Sequence, residues 1–99
     1  MLNTTKTLED GVVKFALEGR LDTVTSPEFE TELKEALADS KNLVLDFENL
    51  DYISSAGLRV LLAAQKIIGA EGQMKIVNVN ETIMEIFDVT GFTDILTIE

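Results

Sequence analysis

The 99-residue chain contains no cysteine, no histidine and no tryptophan. Without cysteine there is no disulfide framework, thiolate nucleophile or thiolate metal site. Without histidine there is no ordinary general base near neutral pH, and the commonest zinc ligand is missing. Basic residues are also scarce, at 8 against 18 acidic ones, for a net charge of −10. Phosphate backbones and anionic lipid surfaces repel such a chain, so direct nucleic-acid or membrane binding is not expected. The eight basic residues form no stripe, and a partner held by charge should present a basic face. The longest unbroken apolar run, Val60 to Ala64, is far short of a membrane span. The opening Met1-Leu2-Asn3-Thr4-Thr5-Lys6 has no apolar signal-peptide core, so a soluble cytoplasmic protein is expected.

What is present is ordinary for a globular domain: 45% apolar and 26% charged residues, in a length that suits one compact core, so residues 1–99 read as a single domain. Asp10-Gly11 between Thr7-Leu8 and Val12-Val13 predicts a hairpin of strands from about Leu2 to Leu8 and Val12 to Glu18, with Gly19 ending the second. Helix 1 follows Arg20-Leu21-Asp22. Its start is either Ser26 as N-cap with Pro27 at the first helical position, or a Thr25–Glu28 capping box. Phe29, Leu33, Ala36 and Leu37 recur at helical spacing, and the glutamates fill the wet face. Leu43 to Phe47 reads as a short strand covered on both faces. The segment from Leu58 to Ile68 looks too apolar all round for a one-sided surface helix, and Gly69 and Gly72 close it. Met74 to Val79 is strand 4. Asn80 caps a third helix that Gly91 stops, and Asp94 to Ile98 suggests a last short strand. Strands alternating with helices imply right-handed crossovers: an α/β fold with a mostly parallel sheet of four to five strands, an antiparallel N-terminal hairpin and three to four helices.

Binding groups in such sheets collect beyond the carboxyl ends of the strands. There the segment Glu48 to Ile53, read as a loop, delivers Ser54-Ser55-Ala56-Gly57 to a helix start. One of the two serines can cap the helix while the other is displayed. A helix N-terminus tolerates negative charge, so a phosphate added there should alter a partner's view of the surface and leave the fold intact. Gly57 is expected to keep side chains clear for an approaching protein.

The run Val44 to Leu61, containing Ile53-Ser54-Ser55-Ala56-Gly57-Leu58-Arg59, resembles the core of STAS domains of the anti-sigma-factor antagonist family. The Gly19-x-Leu21-Asp22 element and the segment Ile86-Phe87-Asp88-Val89-Thr90-Gly91-Phe92 extend the resemblance over essentially the whole chain. It implies a STAS-like fold and a partner-switching cycle. Such antagonists bind an anti-sigma factor that is also a serine kinase of the histidine-kinase-like ATPase fold, and so free a sigma factor. Phosphorylation of the serine two residues before the motif glycine ends the complex, and a PP2C-type phosphatase resets it. That serine is Ser55. The residue before it is usually Asp in the family and is Ser54 here, which removes a carboxylate and supplies a second hydroxyl. Asp22, Ser54, Ser55, Ala56, Gly57 and Arg59 are the implied partner-binding residues. Asp22 also reads as a turn or cap residue, Arg59 as a solvated surface charge, and Asp46 either as a neighbour of Ser55 or as an acceptor for loop N–H groups.

No enzyme reading competes well. A serine nucleophile needs a positioned base, and the chain has no histidine, no G-x-S-x-G elbow and no glycine-rich phosphate loop. No catalytic residue, cofactor or metal is expected. The alternative is a STAS adaptor, never phosphorylated, in a transporter or larger signalling assembly.

Overall fold

The computed structural model describes Met1 to Glu99. Strand β1 (Leu2–Glu9) turns into β2 (Val12–Leu21) through Asp10 and Gly11, both at positive φ (53° and 78°), as a two-residue hairpin turn of matching twist requires. Helix α1 (Ser26–Leu37), strand β3 (Asn42–Ile53), helix α2 (Ser55–Ile68), strand β4 (Gln73–Val77) and helix α3 (Glu81–Thr90) follow. The sheet order is β1-β2-β3-β4, with β1 antiparallel to β2 and the other pairs parallel. In place of a fifth strand there is a 3-10 turn over Phe92–Asp94 and a single bridge from Ile98 to Ile76.

The strands join the sheet in sequence order without a reversal. Right-handed crossovers then place successive helices on one face only. Burial agrees: Val13, Phe15 and Leu17 of β2 and Leu43, Leu45 and Phe47 of β3 share one cluster of 23 buried apolar residues with side chains of all three helices. The alternating Lys14, Ala16, Val44 and Asp46 are exposed or half-buried on the other face. The expectation of a β3 covered on both faces is therefore corrected; two-sided burial needs a sheet wound in both directions. Helix α2 is likewise one-sided, with Arg59 and Lys66 exposed opposite Leu58, Leu61, Ala64 and Ile68.

Two further expectations change. Gly19 does not end β2. It is a strand residue at φ 107°, and a β-carbon there would lie 2.2 Å from the Met1 carbonyl oxygen. The segment Glu48 to Ile53 is not a loop but the second half of β3. Opposite β2, residues 46 to 49 span what 16 to 18 span, and residues 50 to 52 span what 19 to 20 span, so β3 carries two bulges. Each flips the side-chain alternation, which is how Phe47, Leu50 and Ile53, spaced by three, all face the core at 0–1% exposure.

Neither expected cap forms at α1. Thr25 occupies the N-cap position without a side-chain cap bond, and Ser26 lies inside the first turn with Pro27. Asn80 does cap α3, its Oδ1 accepting the Ile83 N–H at 2.9 Å, and its Nδ2 donates to the Leu50 carbonyl at 2.7 Å. Gly91 ends that helix in the left-handed region. Phe47 meets Phe87 with ring centroids 6.3 Å apart. Phe47→Ala should lower stability by about 3–5 kcal/mol, a large share of the total for a domain of this size, read as the shift in urea midpoint by circular dichroism.

Candidate functional site

Strands β2 and β3 are parallel neighbours whose last register pair is Leu21 with Ile53, so both chains leave the sheet at the same end. Beyond β3 the Ser54 N–H donates to the Leu21 carbonyl at 2.9 Å, which stitches the start of α2 to the segment carrying Asp22. Ser54 is extended (φ −96°, ψ 177°) and is the N-cap, its Oγ accepting the Gly57 N–H at 3.4 Å. Ser55 is the first helical residue. It is exposed, and its hydroxyl makes no hydrogen bond within the protein. The two roles left open by the sequence thus separate: Ser54 caps and Ser55 is displayed.

Gly57 points the other way from the one expected. It is buried, and a β-carbon on it would lie 2.7 Å from Ile53 Cγ1, 2.8 Å from the Leu21 carbonyl oxygen and 2.9 Å from Leu21 Cγ. The clearance it provides is for the protein's own β2 and β3, which lets the first turn of α2 sit directly on the sheet end.

Asp22 is held as a turn residue. Its Oδ1 accepts the Val24 and Thr25 N–H groups at 3.0 and 3.1 Å and the Thr25 hydroxyl at 3.2 Å. Thr25 Oγ1 in turn accepts the Asp22 N–H at 2.9 Å. The Thr25 N–H above all, opposed by desolvation and helped by the Val24 N–H and the Thr25 hydroxyl, holds the Asp22 carboxyl below the usual carboxylate range. Arg20, 3.7 Å from Asp22 Oδ2, stacks its guanidinium 4.5 Å from the Tyr52 ring centroid. Sequence reasoning passed over Arg20 and Tyr52 and read Thr25 only as a helix cap. The spacing Asp22-x-x-Thr25 was the available signal, because Asx and Ser/Thr turns form over that interval.

Asp46 does not join the site. It lies on the outer face of β3, where Oδ1 accepts from the Glu48 N–H at 3.0 Å and the Asn78 Nδ2 at 3.1 Å, and Lys14 Nζ stands 3.8 Å from Oδ2. Its partner Ala16 is five residues of β2 from Leu21, the partner of Ile53, which at about 3.3 Å per residue puts Asp46 roughly 16 Å from the end of β3. Ala56 is half-buried beside Ser55, and Arg59 is exposed one turn further on. No cluster of three or more potential metal ligands exists, and no helix is long and apolar enough to cross a membrane.

This arrangement is a free hydroxyl on a helix start, capped from behind, with no side chain positioned to take its proton. Residues 3–99 match the STAS domain family. The chain belongs to that family. The anti-sigma F factor antagonist of Paenibacillus polymyxa is 32% identical over 91 residues, spanning 89% of this chain and 78% of that one. The crystal structure of an anti-sigma factor antagonist from Mycobacterium paratuberculosis has a TM-score of 0.90 at 25% identity, over 99% of this chain and 85% of that one. SpoIIAA of Bacillus shares the fold in its unphosphorylated and phosphorylated forms. The TM-scores are 0.77 and 0.76 at 17% and 18% identity, over 98% of this chain and 87% and 91% of theirs.

Two consequences can be measured. Gly57→Ala places a methyl group against a backbone oxygen that cannot rotate away. The overpacking, about 1–3 kcal/mol, should outweigh the helix propensity regained, at most about 1 kcal/mol, for a net loss of about 1–2 kcal/mol in denaturant titration. A variant as stable as the parent would contradict the inward packing. For Asp22, a folded value below the unfolded one means stability that is fully present above about pH 4 and is lost as pH falls through the lowered folded value. The urea midpoint of Asp22→Ala should therefore lie below the parent's at pH 6 and converge on it towards pH 2.

Proposed function

We propose that this chain is an anti-sigma-factor antagonist switched by phosphorylation of Ser55. Unmodified, it binds an anti-sigma factor that is also a serine kinase of the histidine-kinase-like ATPase fold, and a sigma factor is released. The kinase transfers the γ-phosphoryl of ATP to Ser55 Oγ, the complex dissociates, and a PP2C-type phosphatase hydrolyses the ester to return the chain to service. The observation that carries this reading is the division of labour between the serines: Ser54 Oγ is committed to the Gly57 N–H, whereas Ser55 Oγ is exposed and unbonded. The anti-sigma factor antagonists among its relatives support the partner class, and SpoIIAA, seen in unphosphorylated and phosphorylated forms, supports phosphorylation on this fold.

Physical chemistry favours a switch acting on the partner. A phosphoserine carries about −1.5 to −2 charges at neutral pH. At the first position of α2 that charge meets the positive end of the helix dipole and free N–H groups, so the fold tolerates it. A partner packed on Ser55, Ala56 and the Asp22 turn would meet new bulk and a desolvated dianion. The replacement of the family's usual Asp by Ser54 leaves the cap working, because Ser and Asp cap comparably well. That removes the main motive for the adaptor alternative.

Incubation with the purified anti-sigma kinase and ATP, followed by mass mapping, should place one phosphate on Ser55. Ser55→Ala should take up none and still bind. Ser55→Asp should bind at least about tenfold more weakly by calorimetry, a loss of about 1.4 kcal/mol, with an unchanged circular dichroism spectrum. Phosphate on Ser54 instead, or parental affinity in Ser55→Asp, would sink the reading.

A further inference from the structure

Helices α1 and α2 enclose between them an open groove of about 530 Å³ whose lining includes Ala56, the residue next to Ser55. Apolar Ala56, Val60 and Ala63 form its α2 wall. Arg59 and Lys66, two helical turns apart on α2, are its cations. Neither has a carboxylate oxygen within 4.0 Å, although acids outnumber bases 18 to 8; Lys14, Arg20, Lys34 and Lys75 each have one, and Lys6 and Lys41, which lie away from the groove, do not. The acid in the groove, Glu30, is taken by Lys34 at 3.4 Å. The helix dipole accounts for Lys66 in the last turn of α2, whereas Arg59, the fifth residue of the helix, lies past the first turn in which the dipole acts. Neither an ion pair nor the helix dipole gives a reason for Arg59 to be basic.

A second observation is independent of charge. Ser26, which also lines the groove, is 3% exposed, and its Oγ has no hydrogen-bond partner. Buried hydroxyls are normally satisfied. The carbonyl four residues back, that of Asp22, receives the Ser26 N–H at 2.9 Å but no bond from Ser26 Oγ. An unpaired hydroxyl and two unpaired cations beside an apolar wall describe half of an interface.

We propose that this groove receives an acidic segment of the anti-sigma factor. A carboxylate of that segment pairs with Arg59 and Lys66, an adjacent apolar side chain covers Ala56, Val60 and Ala63, and a polar group beside them completes Ser26 Oγ. The proposal takes its partner from the reading above but does not depend on phosphorylation. It does supply a route for release. Ser55 stands four residues before Arg59, so their side chains are neighbours on the helix surface. A phosphate on Ser55 would capture the Arg59 guanidinium and confront the acidic segment with like charge.

The test compares two double charge reversals with the same net change. Arg59→Glu with Lys66→Glu should weaken binding to the anti-sigma factor by at least about thirtyfold, whereas Lys6→Glu with Lys75→Glu, on the sheet, should change it by no more than about threefold. Equal losses in the two pairs would overturn the proposal, even if Ser55 is phosphorylated as expected. A parallel titration of the isotope-labelled chain with hexanoate, a carboxylate on an apolar tail, should shift the amide signals of Ser26, Ala56, Arg59 and Ala63 saturably, and hexylammonium should not. No shift, or equal shifts with both, would overturn it. Hexanoate binding without any complex with the anti-sigma factor would overturn both the named occupant and the function proposed above. A groove-pair loss without phosphate on Ser55 would support the groove and sink only the switch.

Discussion

The strands of this protein enter the sheet one after another in a single direction, and right-handed crossovers do the rest. With no reversal of strand order, all three helices are confined to one face and the core is a single layer between them and the sheet. A sheet that reverses direction opens a crevice at the switch point, where small ligands bind. This sheet has no switch point. The residues gathered at the ends of β2 and β3 therefore stand on the rim of the sheet and not in a switch-point crevice. The same parallel pairing brings Asp22 and Ser54 together across 32 positions of sequence through the Leu21–Ile53 register.

Site and core meet at Gly57. Because its α-carbon faces Leu21 and Ile53 without a side chain, the first turn of α2 lies flush on the sheet end, and the Ser54 N–H reaches the Leu21 carbonyl. Ser55 is thereby fixed on a rigid seat and its side chain left free. A side chain added at Gly57 would meet the core, whereas a change at Ser55 meets only the surface. The Asp22 turn, held by Thr25 and flanked by Arg20 over Tyr52, is the second rigid piece of that surface.

Much of this was legible in the residues. Asp10-Gly11 specified its hairpin because few other pairs accept positive φ at both positions, and Asn80 and Gly91 marked both ends of α3 for similarly local reasons. The pattern around Ser55 and Gly57 was specific enough to suggest the family. What stayed hidden was set by tertiary geometry. Two bulges broke the period-two pattern of β3 after Phe47, so half a strand read as a loop. Gly19 looked like a terminator because local propensity cannot reveal that the Met1 carbonyl lies against it. The direction in which Gly57 faces depends on Leu21, which is 36 positions away. The choice between Ser54 and Ser55 as cap turned on the extended backbone of Ser54, which either residue's identity would permit.

The two margins of the sheet are unequal. On the outer side of β4, the Ile76 N–H donates to the Thr97 carbonyl and the Ile76 carbonyl accepts the Glu99 N–H, so the middle of that edge is already occupied by the chain's own last residues. The outer side of β1 carries no such cover. Strand-by-strand growth of copies into a fibre needs a donor edge and an acceptor edge on every molecule. With Ile76 of β4 already paired from within, β1 is the margin of the sheet that keeps its backbone groups free along its length.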